Sequence, residues 1–585
     1  MTSPASTIDP VSTLSIRAPR VDLGVVCVPG NADAAEQIVR QVSMYDDSNL
    51  LVAGGPFVEL RKIARRELLD AAIAYSADLT GPATPAGELR TDVPFVLCGH
   101  QPQLTHPGVW AKNVIASQLA KLTDGIAINI VVDNDTIRSR SIVVPVDDSA
   151  EHDGKTLKHA FISFDYGRSK VPWEDVVIED ATTFAAFEDN VLKQFAGTRD
   201  GLLLCELWPA TREYAEKNPN LRDVLTFLRR RFEQAGGLKL LDVPLSSLCE
   251  LGSFRPFFTH LLKNAETFAS IHNDALREYR LRNKITQSHV PFRDLELDGE
   301  WIETPFWIWH VDLPVRRALF VKHEGDQVLL SDRGRFHTTM SEQVIVDDAL
   351  LAAELEKVNQ SGWKIRTRAV STTMLSRLFL GDYFIHGIGG AKYDEITDQI
   401  IREFWQLPVP SYQVVTATAY LPLTQYENDC GDIGCDIDQW HRDWLWNPAA
   451  FFDVQGQLVE PWNNVNGVTA SASPQAIKKT LADFEQHLES LEPAIPIGLI
   501  SRQSCASKEC YHRKQQRKAD WHQKLSELKS DLRKQTGITE ADWSRWTLRR
   551  RRVEQNRVYA SYREYPYVLF TETKMDQLKS VLIEG

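Results

Sequence analysis

Apolar positions change their spacing along this chain, and the changes divide it into blocks. VPFVLCG (93–99) is an unbroken apolar run, PGVWAKNVIASQLAKL (107–122) places apolar residues at helical intervals, and AINIVVDND (127–135) is unbroken again. The three segments predict a buried strand, a helix and a second buried strand. Ala111, Ile115, Leu119 and Leu122 would form the inner stripe of that helix. Strand, turn, helix and strand at this spacing make a βαβ unit, the building block of parallel sheets. With further strands expected at 159–164 and 238–244, the first half reads as a doubly wound α/β layer structure.

After a long helical pattern over 254–283 the period shortens. PFRDLEL, PFWIWHV, RRALFVK and QVLLSD are alternating runs divided by Asp-Gly and Glu-Gly, the signature of antiparallel hairpins. They predict a small hairpin insertion over 285–335, with helices and one strand returning by about 406. From Ser473 the pattern is helical: Ile477, Leu481, Phe484, Leu488 and Leu491 form one seam, and Trp521, Leu525, Leu528 and Leu532 a second. The expected organisation is a loose leader (1–20), an α/β core (21–284 and 336–410), the hairpin insertion, a connecting region (411–472) and a coiled-coil-like helical arm (473–585).

The richest chemistry falls at the end of the strand at 93–99, where open α/β sheets bind ligands. In CGHQPQLTHPGVWAKN (98–113), Gly99 permits a sharp exit, Thr105 could cap the helix, and Pro107 and Gly108 would open it. Free amides at a helix start attract phosphate. His100 and His106 could donate to phosphate oxygens, Lys112 adds a fixed charge one turn in, and Gln101, Pro102 and Asn113 complete the segment. The next strand ends in Asp133, Asn134 and Asp135, whose carboxylates could hold Mg, a substrate amine or ribose hydroxyls, or form a solvated turn. A second glycine turn, DYFIHGIGGAKYDEITD (382–398), presents Gly387, Gly389 and Gly390 before a helix, with His386, Lys392 and Asp394 at its lip. Neither turn matches the phosphate loop of nucleoside triphosphatases or the Gly-x-Gly-x-x-Gly fingerprint.

GHQPQLTHPGVWAKNVIASQLAK followed by AINIVVDND resembles the first βαβ unit of the cysteine-adding enzyme of bacillithiol biosynthesis, and the later Gly-Gly turn resembles that family's Gly-Gly-Pro segment. The resemblance spans the first 245 residues and 365–405. It implies a Rossmann-like core related to nucleotidylyltransferases, an adenine-nucleotide pocket (ATP or ADP), a ligase-like addition of cysteine to a small acceptor, and a helical arm used for dimerisation. On matching positions Gln101, Pro102, Gly108, Lys112, Asp133, Asp135, Gly389 and Gly390 would line the pocket. His100 stands where the family has its first Gln, and Lys392 and Asp394 follow the Gly-Gly turn without its Pro. Within this reading His100, Lys112, Asp133 and Asp135 are the catalytic candidates. The alternative is a non-catalytic, zinc-stabilised binding or scaffold protein on the same fold.

Cysteine placement adds a metal to the picture. Cys430 and Cys435, and after 69 residues Cys505 and Cys510, form two C-x4-C pairs. Two such hooks are what a tetrahedral structural zinc needs, and an iron-sulfur cluster takes the same four thiolates. Eight cysteines in 585 residues are too few for a disulfide scaffold and fit the reducing cytoplasm. No apolar run approaches the roughly 18–20 residues that span a bilayer, so no membrane partner is expected. A net charge of −13 argues against a whole-surface nucleic-acid binder. Between Arg502 and Arg557, however, 16 Lys and Arg face 7 Asp and Glu. That arm could contact RNA or an acidic partner, although such charge is usually a solvated helix face.

Overall fold

A computed structural model describes residues 16–81, 90–149, 156–289, 292–427, 437–460, 462, 468–490 and 507–584. They form a mixed α/β protein of two units, one drawn from 1–144, 160–421 and 562–585 and the other from 145–159 and 422–561. Among the described residues no helix is long and apolar enough to cross a membrane.

The first unit is built on six strands: β1 (Gly24–Val28), β2 (Phe95–His100), β3 (Ile126–Val131), β4 (Leu241–Pro244), β5 (Tyr383–His386) and β6 (Tyr412–Thr418). Their order in the sheet is β4-β3-β2-β5-β6-β1. All neighbours are parallel except β1, which pairs antiparallel with β6 at the edge. Chain order therefore runs outward from β2 through β3 to β4, then returns to β5 on the other side of β2.

Central strands of such a sheet are covered on both faces, which is why they read as unbroken apolar runs. Phe95, Leu97, Ile128 and Ile130 point into the main core, where they meet Phe57, Ala64 and Leu68 of α1 (Phe57–Thr80). The opposite face receives α2 (Pro107–Leu122), with Ala111, Ile115 and Leu119 fully buried. Leu122, the fourth member of the expected stripe, is instead 53% exposed at the last position of the helix. A single carboxylate, Asp382, fastens the N-terminal ends of β2 and β5 to α1. It accepts from Arg61 Nη2 at 2.6 Å, Arg65 Nη1 at 2.7 Å and the Phe95 amide at 2.7 Å.

Several boundaries differ from the expected ones. Alternating runs expected as a hairpin insertion over 285–335 form part of a six-stranded antiparallel sheet, ordered 337–341, 327–331, 313–324, 301–310 and 363–367, with the short strand Leu297–Asp298 also paired to 301–310. Its Phe306, Ile308, Leu319, Val321 and Ile365 belong to the same core as β2 and α1, so the sheet is continuous with the main body. Where one returning strand is expected there are two: Trp363–Thr367 closes this second sheet, and β5 joins the main one. The 254–283 helix is two, Phe254–Lys263 and Ala265–Arg282. The strand expected at 159–164 runs Leu157–Ser163 and pairs with Ser141–Asp147 outside the main sheet.

In the second unit the helices Pro474–Glu489 and Lys508–Gln535 bring Ile477, Phe484, Leu528 and Leu532 into one core, and Glu540–Ala560 adds Trp543 and Trp546. The seam continues in His487 stacked on Trp521. Leu488 of the expected seam is exposed, and Leu491 lies outside the described residues. Residues 562–585, expected in the arm, belong to the first unit. Tyr565 to Phe570 is an unbroken apolar stretch except for Pro566 and is almost wholly buried, and the helix after it buries Met575, Leu578 and Leu582.

Candidate functional site

The return of the chain from β4 to β5 creates a topological switch point between β2 and β5, and the carboxyl ends of the strands at such a point open into a crevice. Ile385 pairs with Cys98, so β2 and β5 leave the sheet side by side, one through Gly99 and His100, the other through His386 and Gly387. The two glycine turns, nearly 290 positions apart in sequence, meet here. Gly99 has its own reason to be glycine: a Cβ would lie 3.0 Å from the Ile130 carbonyl oxygen.

Lys112, one turn into α2, reaches back to this gap. Its Nζ donates to the Gly99 carbonyl at 2.6 Å. The His100 carbonyl already accepts from Val132 beyond β3, and strand residues alternate the side to which they bond, so Gly99 faces β5. The ammonium is therefore placed at the switch point itself. Only 5% of Lys112 is exposed. Burial pulls it down to about 8; a Cys98 thiolate would oppose the shift, and Arg229 adds to it. No salt bridge joins Lys112 to a carboxylate among the described residues.

Beneath Lys112 lies a buried polar network anchored on α3 (Leu221–Ala235). Asn113 donates to Glu233 at 2.7 Å and Asn129 to Asp242 at 2.8 Å. Arg229 bridges Glu233 and Asp242, and Arg230 reaches Asp242 at 3.2 Å. Cys98 Sγ donates to Asn113 Oδ1 at 3.3 Å, and burial raises that thiol to about 12. Burial also lifts Glu233 to about 7, with Arg229 opposing and Asp242 assisting. Two guanidinium groups thus share two carboxylates, and the Lys112 ammonium stands outside these pairs. Asn113, expected as a ligand contact, instead points into this network.

The histidines differ from expectation in a way their hydrogen bonds explain. His106, not Thr105, caps α2: its Nδ1 accepts the Gly108 amide at 3.1 Å, and its carbonyl takes the amides of Val109 and Trp110. The start of α2 is therefore satisfied by its own chain and is not the open anion site the sequence predicts. With Nδ1 accepting, His106 carries its proton on Nε2 and can donate from there. His100 has Nδ1 3.1 Å from the Gln101 carbonyl, so Nδ1 holds the proton and Nε2 is a bare acceptor. Burial pulls His100 to about 3 and His106 to about 4, Lys112 next for the first and Arg563 for the second, so both are neutral at pH 7. His100 cannot donate from Nε2 to a phosphate as expected. Gly108 is fixed by packing: a Cβ would sit 2.4 Å from the Ala417 carbonyl oxygen and 2.6 Å from Arg563. Replacing it with Ala should lower stability by about 1–3 kcal/mol through overpacking, read from urea unfolding.

At the second turn, α4 (Ile388–Ile400) starts from Gly387 in an extended conformation with no side-chain cap. Its first intrahelical bond runs from the Ala391 amide to the Gly387 carbonyl, so the amides of 388–390 precede it. A Cβ on Gly387 or Gly389 would meet nothing within 4 Å, so open space lies before them. Gly390 differs, since a Cβ there would lie 3.1 Å from His386 Nδ1. His386 Nε2 is 2.7 Å from Asp394 Oδ2, and Arg377 holds Asp394 at 2.6 Å and Asp398 at 2.7 Å. Asp394 suffers desolvation, yet Arg377 and then His386 keep it below its usual range. Asp394 thus orients His386 and does not face a ligand. Lys392 is half-buried and makes no salt bridge among the described residues.

The acidic strand end is also committed inward. Asp133 is fully buried and accepts from the Ser246 amide at 2.9 Å, the Ser246 hydroxyl at 2.5 Å and Arg222 at 3.0 Å. Burial, reinforced by Glu174 and opposed by Arg222, raises it. Asp135 accepts from Gln101 at 2.8 Å and the Thr136 amide at 2.8 Å, and pairs with Arg316 at 2.9 Å. Asp133 is enclosed by its partners, whereas Asp135 stays part-exposed beside Gln101, which braces the loop. Pro102 is buried beside it.

Arg563 is the contact that sequence patterns missed. From the returning C-terminal segment it donates to Thr416 Oγ1 and the Ala417 carbonyl, both at 2.9 Å, at the end of β6. Desolvation lowers it. Its only sequence signal is a cation in an apolar tyrosine-rich run.

Cys430, Cys435 and Cys505 lie outside the described residues; Cys510 sits in the first turn of its helix, its amide bonded to Ser507. Among the described residues no three His, Cys, Asp or Glu are grouped to hold a metal ion. Compared with protein-family models and with curated proteins, the sequence matches none.

Proposed function

We propose that the switch-point crevice binds the phosphates of an adenine nucleotide, and that the first unit is a Rossmann-like core of a ligase-like or nucleotidyl-transfer-like enzyme acting on a small-molecule substrate. The observation that carries this reading is Lys112: a buried ammonium with no carboxylate partner among the described residues, bonded to the end of β2 at the reversal of strand order, while the neighbouring strand β5 leads into a helix start whose leading amides open onto free space. Counting the parallel strands in chain order, the sheet runs 3-2-1-4-5, the order of dinucleotide-binding cores. Lys112, the amides of 388–390 and His106 Nε2 would hold phosphate oxygens, with Arg563 near the rim. Chemistry would then rest on electrostatic stabilisation of transferring phosphate charge, because the expected acidic groups are engaged elsewhere. Titration of the full chain with ATP and ADP by calorimetry tests the reading: saturable heat is expected, and its absence at millimolar nucleotide rejects it. Whether cysteine or another amine or thiol is the acceptor is tested by adding candidates to the nucleotide-loaded protein and following product by mass spectrometry.

The engagement of Asp133, Asp135 and Asp394 favours a second reading, a binding or scaffold protein on this fold with a structural zinc held by Cys430, Cys435, Cys505 and Cys510. For the metal, elemental analysis of purified protein should give about one zinc per chain, and replacement of Cys510 by Ser should lose it. Metal-free protein of unchanged stability would remove the zinc from the account.

A further inference from the structure

Away from the switch-point residues, the first unit contains a cavity of about 590 Å³ between the helices Phe254–Lys263 and Asp348–Gln360 and the strand Trp363–Thr367. This is the size of a small-molecule site. Its walls include Phe254, Phe258, Leu355, Val358, Trp363 and Ile365. Two guanidinium groups border it, each already paired with a carboxylate. Arg255 makes a two-pronged pair with Asp348, at 2.7 Å on each side. Arg366 gives Nε and Nη2 to Glu174, Nη1 to the Ile365 carbonyl, and shares Nη2 with Glu250. What is left at the mouth is negative: Glu356 is exposed and forms no salt bridge among the described residues, and Glu250 gives Arg366 one oxygen only. Burial raises the Cys249 thiol to about 11, so this lining group is neutral and inert.

We infer that this cavity is a second binding site, for a small organic cation with an apolar body, such as an aryl-alkyl amine. The aliphatic and aromatic walls take the body. The rings of Phe254, Phe258 and Trp363 together with the two carboxylates favour a positive head group. An anion of equal size would find Arg366 bonded through all three of its nitrogens and Arg255 already charge-balanced by Asp348, with Nη1 as its one nitrogen outside that pair.

The test uses the full chain with phenethylamine and its opposite-charge counterpart phenylacetate, followed by ligand-observed NMR and calorimetry. Phenethylamine should bind saturably and at least about tenfold more tightly than phenylacetate. Glu356→Gln, an exposed change that leaves the fold intact, should weaken the amine about three- to tenfold. Ala352→Trp, which occupies the space from the Asp348–Gln360 helix, should abolish binding with an unchanged circular dichroism spectrum. If Ala352→Trp fails to fold, the Glu356→Gln comparison decides alone. No saturable amine binding, equal binding of phenylacetate, or an amine affinity indifferent to Glu356→Gln would each overturn the proposal.

Discussion

Replacing Asp382 with Ala should cost the first unit about 3–5 kcal/mol. The carboxylate is 2% exposed and holds two guanidinium groups, Arg61 and Arg65, themselves almost as buried. Removing it leaves two like charges facing each other in a low-dielectric interior, and the Phe95 amide loses its acceptor. Both guanidinium groups keep carbonyl partners, Gly381 for Arg61 and Val93 and Thr91 for Arg65, so the arginines cannot swing out to water without breaking further bonds. Asp382→Asn, which retains an acceptor and the volume but not the charge, should fall between. Urea unfolding followed by tryptophan fluorescence measures both. A loss under about 1 kcal/mol for Asp382→Ala would contradict the claim that this group ties β2, β5 and α1 together.

Lys112→Met should do the opposite to stability while removing function. In the free protein the buried ammonium is held at about 8 against its ordinary 10.5. That shift corresponds to about 3 kcal/mol of penalty. The sign follows from proton binding: between about pH 8 and 10.5 the unfolded chain binds the proton and the folded one does not. The penalty is therefore complete below about pH 8 and disappears as the pH rises to 10.5. At pH 7 the Met variant, which carries no charge to desolvate, should be at least as stable as the parent. Nucleotide affinity should nevertheless fall by about 2–5 kcal/mol, or roughly 30-fold and more, because the phosphates lose their buried partner. Near pH 8 and above, binding should also take up a proton in the parent, giving a heat that varies with the ionisation enthalpy of the buffer. The Met variant should show no such dependence. Unchanged affinity in Lys112→Met, or a fold that collapses without the ammonium, would assign Lys112 a purely structural role.

Much of the local architecture around the crevice was legible before the fold was known. Phe95 to Val131 announces itself because central parallel strands are continuous in apolar residues and α2 is punctuated by Pro107 and Gly108 at its start. Gly387 and Gly389 likewise mark the open helix start of α4. What local patterns cannot carry is pairing over long separations. Nothing in the period of residues 301–310 says that they lie beside 363–367, and nothing near Tyr562 says that the chain returns to the core. The same limit explains the side chains. Asp133 looks like a strand-end ligand until Ser246 and Arg222, more than 80 positions away, are seen to claim it. His106 looks like a donor until the Gly108 amide is seen to occupy its Nδ1. Arg563 has no motif of its own and gains meaning from β6, which lies 147 residues earlier.

The most direct test of the account is a crystal structure of the protein with ADP. The account predicts phosphate oxygens within hydrogen-bonding distance of Lys112 Nζ and of the backbone amides of residues 388–390, between the ends of β2 and β5. Nucleotide bound anywhere else, or none at saturating concentration, would contradict it.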